Sequence, residues 1–281
     1  MNQQHPQSGQ HTGLPQHSRL TVAVRGNPVT VAASSSPAEE GSGELVLLVH
    51  GLGCNKSAFN PVYTGQDQRR WLAIDLPGHG QSPPVAAQRD LIGFYADLVS
   101  ELVRQLGHRT VHLVGHSMGG AVALLAANTL PTGALVSIEG NLTGEDCGLV
   151  SRQIAAQSRS EFVRAGFAGL RERLLADAET GVRIWGNWIE HADPATVWEA
   201  AAALVTWCDS GALAARWPRM HRRTYLWGER SGYPEHLRSL LGPGGAHQIP
   251  FAAHFAMVDN PIGLADAITA AIDGHDQTGT A

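Results

Sequence analysis

The chain has 281 residues, 43% hydrophobic and 16% charged, with a formal net charge of −5. That composition suits a full-sized globular core and excludes a disordered chain, and the lack of any block of Lys or Arg excludes the basic footprint of a nucleic-acid binder. The longest apolar runs, such as Val111–Val114 and Ala121–Ala127, are too short to span a membrane.

In chain order, residues 1–18 are polar, with neither the basic start nor the apolar stretch of a secretory signal, and are expected to form a disordered tail. Leu20–Val24 and Val29–Ala33 flank Gly26-Asn27-Pro28 and predict an opening hairpin. Residues 34–43 are expected as a polar turn. The continuous apolar run Leu45–Val49 predicts a strand buried on both faces of a parallel sheet. A helical stretch around Ser57–Gly65 precedes a strand at Arg70–Ile74. Leu91–Leu106 repeats apolar residues at helical spacing. Strand Thr110–Val114, helix Gly119–Leu130 and strand Ala134–Ile138 follow. Residues 141–215 break the alternation: they read as wholly helical and hold four of the seven tryptophans, Trp185, Trp188, Trp198 and Trp207. Strands at Thr224–Trp227 and Ala246–Ile249 and a helix at Ile262–Ile272 complete the pattern.

Strands alternating with helices imply an α/β fold with a doubly wound, mostly parallel sheet. The expected division is a core of residues 19–140 and 216–274 interrupted by a helical cap, 141–215. Cys54, Cys147 and Cys208 are widely spaced and form no C-x-x-C pair, so reduced thiols in a cytoplasmic protein are expected.

The chemistry is concentrated at Gly115-His116-Ser117-Met118-Gly119, a G-x-S-x-G string between a buried strand and a helix. There the chain must reverse in one strained turn, which leaves the serine hydroxyl exposed beside a helix N-terminus. A serine at a helix start also serves as an ordinary N-cap. A neutral hydroxyl needs a base to become a nucleophile. His254 lies between the last strand and the last helix, at the end of the sheet where such a turn opens. An oxyanion needs two main-chain N–H donors. Met118, directly after the serine, is one candidate, and Leu52, in the loop after the third strand, is the other. His50, His79 and His116 read as structural.

Three further segments carry a resemblance. His50-Gly51-Leu52-Gly53, Asp75-Leu76-Pro77-Gly78-His79-Gly80-Gln81-Ser82 and His254-Phe255-Ala256-Met257-Val258-Asp259-Asn260-Pro261 are similar to the oxyanion loop, the loop after strand four and the catalytic-histidine loop of the α/β-hydrolase fold superfamily. The resemblance covers about residues 20–272 and implies a Ser-His-acid triad. The usual aspartate after strand seven is missing, because Trp227-Gly228-Glu229-Arg230-Ser231 has Ser231 at its place. Some members of the superfamily carry the acid after strand six, which points to Glu139. Glu229 is the second candidate and Asp146 the third.

The expected function is hydrolysis of a carboxylic ester or lactone of a hydrophobic small molecule through an acyl-enzyme. A thioesterase, a carbon–carbon bond hydrolase and a cofactor-free peroxidase are alternatives on the same triad, and a non-catalytic ligand-binding protein is an alternative of another class. No metal or organic cofactor is expected, since H-E-x-x-H, G-x-G-x-x-G and P-loop strings are absent. The cap tryptophans either roof the substrate or staple the helices together. Arg159, Arg164, Arg171 and Arg173 read as a solvated helix face.

Overall fold

A computed structural model describes residues 15–36, 43–63, 69–148 and 150–277. The chain opens with an antiparallel hairpin, β1 (Gln16–Val24) and β2 (Asn27–Ser35). Its two-residue turn is Arg25-Gly26, with positive φ at both positions, 51° and 82°, the geometry whose twist matches that of the flanking strands. Residues 1–14 of the expected tail lie outside the described residues, whereas Gln16–Ser18 already pair in β1. The expected polar turn also begins too early. Ser34 and Ser35 continue β2 because they pair with β4, and Ser36 accepts the Trp71 N–H through its hydroxyl at 3.1 Å. Residues 37–42 of that turn and 64–65 of the expected helical stretch lie outside the described residues.

Six further strands are β3 (Glu44–Val49), β4 (Arg70–Ile74), β5 (Thr110–His116), β6 (Leu135–Ile138), β7 (Arg223–Gly228) and β8 (Ala246–Ile249). All eight strands form one sheet in the order β1-β2-β4-β3-β5-β6-β7-β8, antiparallel up to β4 and parallel from β4 onward. Central β3 is apolar throughout Leu45–Val49 because both its faces are covered.

Helix α1 (Leu91–Leu106) starts at Asp90, whose carboxylate accepts the Gly93 N–H at 2.9 Å, and stops at Gly107 in the left-handed conformation. It packs on α2 (Met118–Ala127), every residue of which is buried. This helix is therefore apolar all round rather than amphipathic.

After β3 the chain crosses to β4 on one side, and after β4 it returns to β5 on the other. Connections that leave in opposite directions open a crevice at the carboxyl ends of β3 and β5, the place where α/β sheets bind ligands. The loop at Gly51–Cys54 and the turn at Ser117 both sit there.

Between β6 and β7 the described chain is helical, as expected. It runs from a 3₁₀ turn at Gly144–Cys147 through α3 (Thr180–Trp188) and α4 (Pro194–Asp209) to Ala212–Arg216. Asp193 caps α4 by accepting the Thr196 N–H at 2.8 Å, with Pro194 in the first turn. The chain re-enters the sheet through fully buried Trp217. Helix α5 (Pro261–Gln277) closes the fold. Among the described residues no helix is long and apolar enough to cross a membrane.

Candidate active site

The turn from β5 into α2 holds Ser117 at φ 53° and ψ −122°, a strained conformation for a residue with a side chain. Close packing enforces it. A Cβ on Gly115 would collide with the Gly119 backbone, and one on Gly119 would collide with the carbonyl of Val49. Ser117 is held by its own N–H, which donates to the Ile138 carbonyl at 3.0 Å, and its carbonyl accepts the Gly120 N–H at 2.8 Å.

The structure brings Glu139 and His254 together. Glu139 Oε2 meets His254 Nδ1 at 2.8 Å, and Oε1 accepts the Gly228 N–H at 2.8 Å. Ser231 also favours the charged form of this carboxylate. Because a carboxylate only accepts, Nδ1 carries the proton and Nε2 is left as the basic nitrogen. Burial alone would raise the Glu139 carboxyl, but the hydrogen bond and charge of His254, with Gly228 and Ser231, outweigh it and leave the group below its ordinary value. Glu139 itself sits at φ 42°, fixed by its N–H to the Leu226 carbonyl at 2.8 Å.

Of the other acid candidates, Glu229 is exposed and accepts the Phe251 N–H at 2.7 Å. Asp146 contacts His236 Nε2 at 2.6 Å through Oδ1 and accepts the Leu142 and Thr143 N–H groups through Oδ2.

His116, expected to be structural, joins two of the motifs. Its Nε2–H donates to the main-chain oxygen of His254 at 2.9 Å. Burial, with the neighbouring His254, pushes its pKa down to about 3, so the ring is neutral. The 4.8 Å separation of the two ring centres makes His116 the floor beneath His254.

The loop after β3 passes directly over the serine: a Cβ on Gly51 would lie 3.2 Å from that of Ser117. The Gly51 carbonyl accepts His50 Nδ1–H at 2.8 Å and the Cys54 N–H at 3.1 Å. In a trans peptide the next N–H points the opposite way, so these bonds orient the Leu52 N–H. His50 Nε2 accepts the Leu76 N–H at 3.0 Å, which fixes the tautomer, and burial holds its pKa down. Trp185 Nε1–H donates to the Leu52 carbonyl at 2.9 Å, tying α3 to the loop. Met118 is the first residue of α2, where main-chain N–H groups lack helical acceptors. Both side chains are buried.

Ser117, His254, Leu52, Asn141, Trp185 and Phe255 border one cavity of about 30 Å³. Of the four tryptophans in the helical segment only Trp185 reaches it. Trp198 donates to the Gln157 carbonyl and Trp207 to the Asp90 carboxylate, each stapling elements together. Arg159 and Arg171 pair with Glu199 and Glu190 on the surface. Cys54, Cys147 and Cys208 are free and buried. The sequence offers Trp185 only as one of four cap tryptophans that could roof the substrate or staple helices, and it does not single out Asn141. A lone indole or amide carries no motif, and both reach the site only through the path of the helical segment.

The sequence signature of the alpha/beta hydrolase family matches residues 46–267. The dihydrolipoyllysine-residue acetyltransferase component of the acetoin cleaving system from Cupriavidus necator is 38% identical over 146 residues, 49% of this chain and 37% of that protein. The (E)-2-((N-methylformamido)methylene)succinate hydrolase of Acinetobacter baylyi is 35% identical over 94 residues, 33% of this chain and 35% of that one. Each alignment thus spans little more than a third of the relative's length. Among solved structures, an esterase from Thermogutta terrifontis superposes with a TM-score of 0.72 at 21% identity, over 92% of this chain and 99% of that one. An N-acyl homoserine lactonase superposes at 0.69 with 18% identity, over 93% and 98%. These likenesses concern the fold.

Proposed function

Because the chain belongs to the alpha/beta hydrolase family, we propose that it is a serine hydrolase that cleaves a carboxylic ester or lactone of a small apolar molecule. Ser117 is the nucleophile, His254 the general base and Glu139 the acid that holds the imidazole. The observation that carries this is the 2.8 Å contact from Glu139 Oε2 to His254 Nδ1, on a ring that borders the same cavity as Ser117.

The steps follow from the proton inventory. His254 Nε2 takes the hydroxyl proton as Ser117 Oγ bonds to the substrate carbonyl carbon. The carbonyl π electrons move to oxygen, and the Leu52 and Met118 N–H groups hold the resulting oxyanion. Collapse breaks the bond to the alkoxy group, which leaves with the proton from Nε2. Water then repeats the attack with His254 again as base, releasing the acid and restoring Ser117. Glu139 stabilises the transient imidazolium and stays ionised.

Residues 141–215 act as a cap over this chemistry, with α3 pressing Trp185 against the oxyanion loop. A cavity of about 30 Å³ favours a short acyl group at the serine. The esterases and the lactonase among the structural neighbours are compatible with this substrate class.

The test is labelling with a fluorophosphonate and hydrolysis of short p-nitrophenyl esters and lactones. Wild type should label at Ser117 and turn over, whereas Ser117→Ala should do neither. A protein that binds these compounds without reacting at Ser117 would be a ligand-binding member of the fold.

A further inference from the structure

Asn141 lies two residues beyond Glu139, on the loop leaving β6, and only 4% of its surface is exposed. It borders the cavity shared by Ser117 and His254. Its donor end is engaged, since Nδ2–H donates to the main-chain oxygen of Asp146 at 2.9 Å. That contact settles which branch of the amide is nitrogen. The other branch, Oδ1, is buried and has no hydrogen-bond partner among the described residues. Buried acceptors are nearly always paired, so an unpartnered one on a residue that borders the cavity calls for a donor from elsewhere.

The surroundings hold Asn141 in place. Its main-chain N–H reaches the Ser117 carbonyl at 3.4 Å. The following turn is braced by Asp146 Oδ2, which accepts the Leu142 N–H at 2.9 Å and the Thr143 N–H at 2.7 Å. Asp146 borders the same cavity, but both its oxygens are engaged, Oδ1 by His236. Glu139 is likewise occupied by His254 and Gly228. Asn141 Oδ1 is therefore the acceptor left open among these three side chains.

We propose that Asn141 Oδ1 is a specificity-determining acceptor, and that the preferred acyl group carries an O–H or N–H donor one or two carbons from the scissile carbonyl. The inference rests on the hydrolase reading of Ser117. The donor must be close to the carbonyl because Asn141 adjoins Ser117 through the main chain and the shared cavity is small. Methylating the donor replaces its hydrogen with a group that cannot pair and must still be accommodated, so a site built around this acceptor rejects it.

The test uses two matched pairs of p-nitrophenyl esters, 3-hydroxybutyrate against 3-methoxybutyrate and N-acetylglycinate against N-acetylsarcosinate. Wild type should favour the donor-bearing member of at least one pair by about tenfold or more in kcat/KM. Asn141→Leu should bring that ratio close to one. Each ratio is internal to one enzyme, so a general loss of activity does not affect it. If the variant does not fold, the wild-type ratios still decide.

Calorimetry of the four free acids on wild type separates the two ways of failing. Labelled Ser117 with equal ratios in both pairs overturns the acceptor role, implicating solvent as the partner of Oδ1, and leaves the hydrolase standing. Unlabelled Ser117 with tighter binding of the donor-bearing acid supports the acceptor and removes the hydrolase. Unlabelled Ser117 with no selectivity removes both.

Discussion

The main-chain N–H of Gly228, at the end of β7, donates to Oε1 of Glu139 at 2.8 Å, linking β7 to the loop after β6. In the pattern that the sequence resembles, the position of Ser231 carries the aspartate. Here the carboxylate sits in the loop after the neighbouring strand, and Ser231 favours its ionised form. The two loops lie side by side because β6 and β7 are adjacent in the sheet and pair from Leu135↔Arg223 to Ile138↔Leu226. An aspartate introduced at position 231 is therefore expected to approach the same imidazole nitrogen.

Glu139→Gln should lower kcat on a p-nitrophenyl ester by about a thousandfold or more, because the amide favours the wrong imidazole tautomer and cannot stabilise the imidazolium. Glu229→Gln should stay within a few-fold of wild type, since Glu229 is occupied with the Phe251 N–H. Adding Ser231→Asp to Glu139→Gln should recover at least about a tenfold share of the lost rate by restoring a carboxylate from the adjacent loop. No recovery in a folded double variant would mean that position 231 cannot reach His254.

Ser231→Ala should shift the acid limb of kcat/KM to higher pH. Without the Ser231 hydroxyl the charged form of Glu139 is less favoured, so its carboxyl should protonate at a higher pH than in wild type. A pH–rate profile for the two proteins checks this, and superimposable acid limbs would contradict it.

His116→Phe keeps an aromatic floor but removes the donor to the His254 carbonyl. With its backbone anchor gone, His254 should spend less time in reach of Ser117, and kcat should fall by about tenfold with little change in KM. Steady-state kinetics with circular dichroism as a control for folding separates this from a general loss of structure.

Acid should destabilise the fold well before the carboxylates titrate. Burial pushes His79 and His116 from 6.5 down to about 3. Between those values the unfolded chain binds protons that the folded chain refuses, so stability is full above about pH 6.5 and falls as pH drops toward 3. The slope approaches about 1.4 kcal/mol per pH unit for each such histidine. Glu139 acts in the same sense lower down, contributing above its ordinary 4.5 and losing that contribution as pH falls through its lowered folded value. Urea midpoints at pH 7 and pH 5 measure the histidine effect, and equal midpoints would rule it out.

Lys56 and Asp75 form a buried ion pair at 2.9 Å, with side-chain exposures of 5% and 0%. Asp75 also accepts the Lys56 and Gln81 N–H groups, and Lys56 donates to Gln81. Lys56→Met leaves the carboxylate buried beside apolar atoms and should cost about 3–5 kcal/mol in urea unfolding. The network braces the loop after β4 against the turn at Lys56, so thermal inactivation should rise in step with the loss of stability.

Much of this protein is set locally. Val46–Val49 has no polar face to offer water, and Leu91–Leu106 repeats its apolar residues at helical spacing, so strand and helix follow from short-range periodicity. Gly115 and Gly119 around Ser117 mark a turn that only a crowded strand–helix junction requires. What short stretches of chain cannot encode is which distant groups meet. Asn141 is an ordinary polar residue until the chain path buries it beside Ser117 with its oxygen unpaired, and Trp185 is one tryptophan of four until α3 lands on Leu52. The meeting of Glu139 and His254 depends on the order of β6, β7 and β8, a tertiary property enforced by sheet pairing and burial across more than a hundred residues.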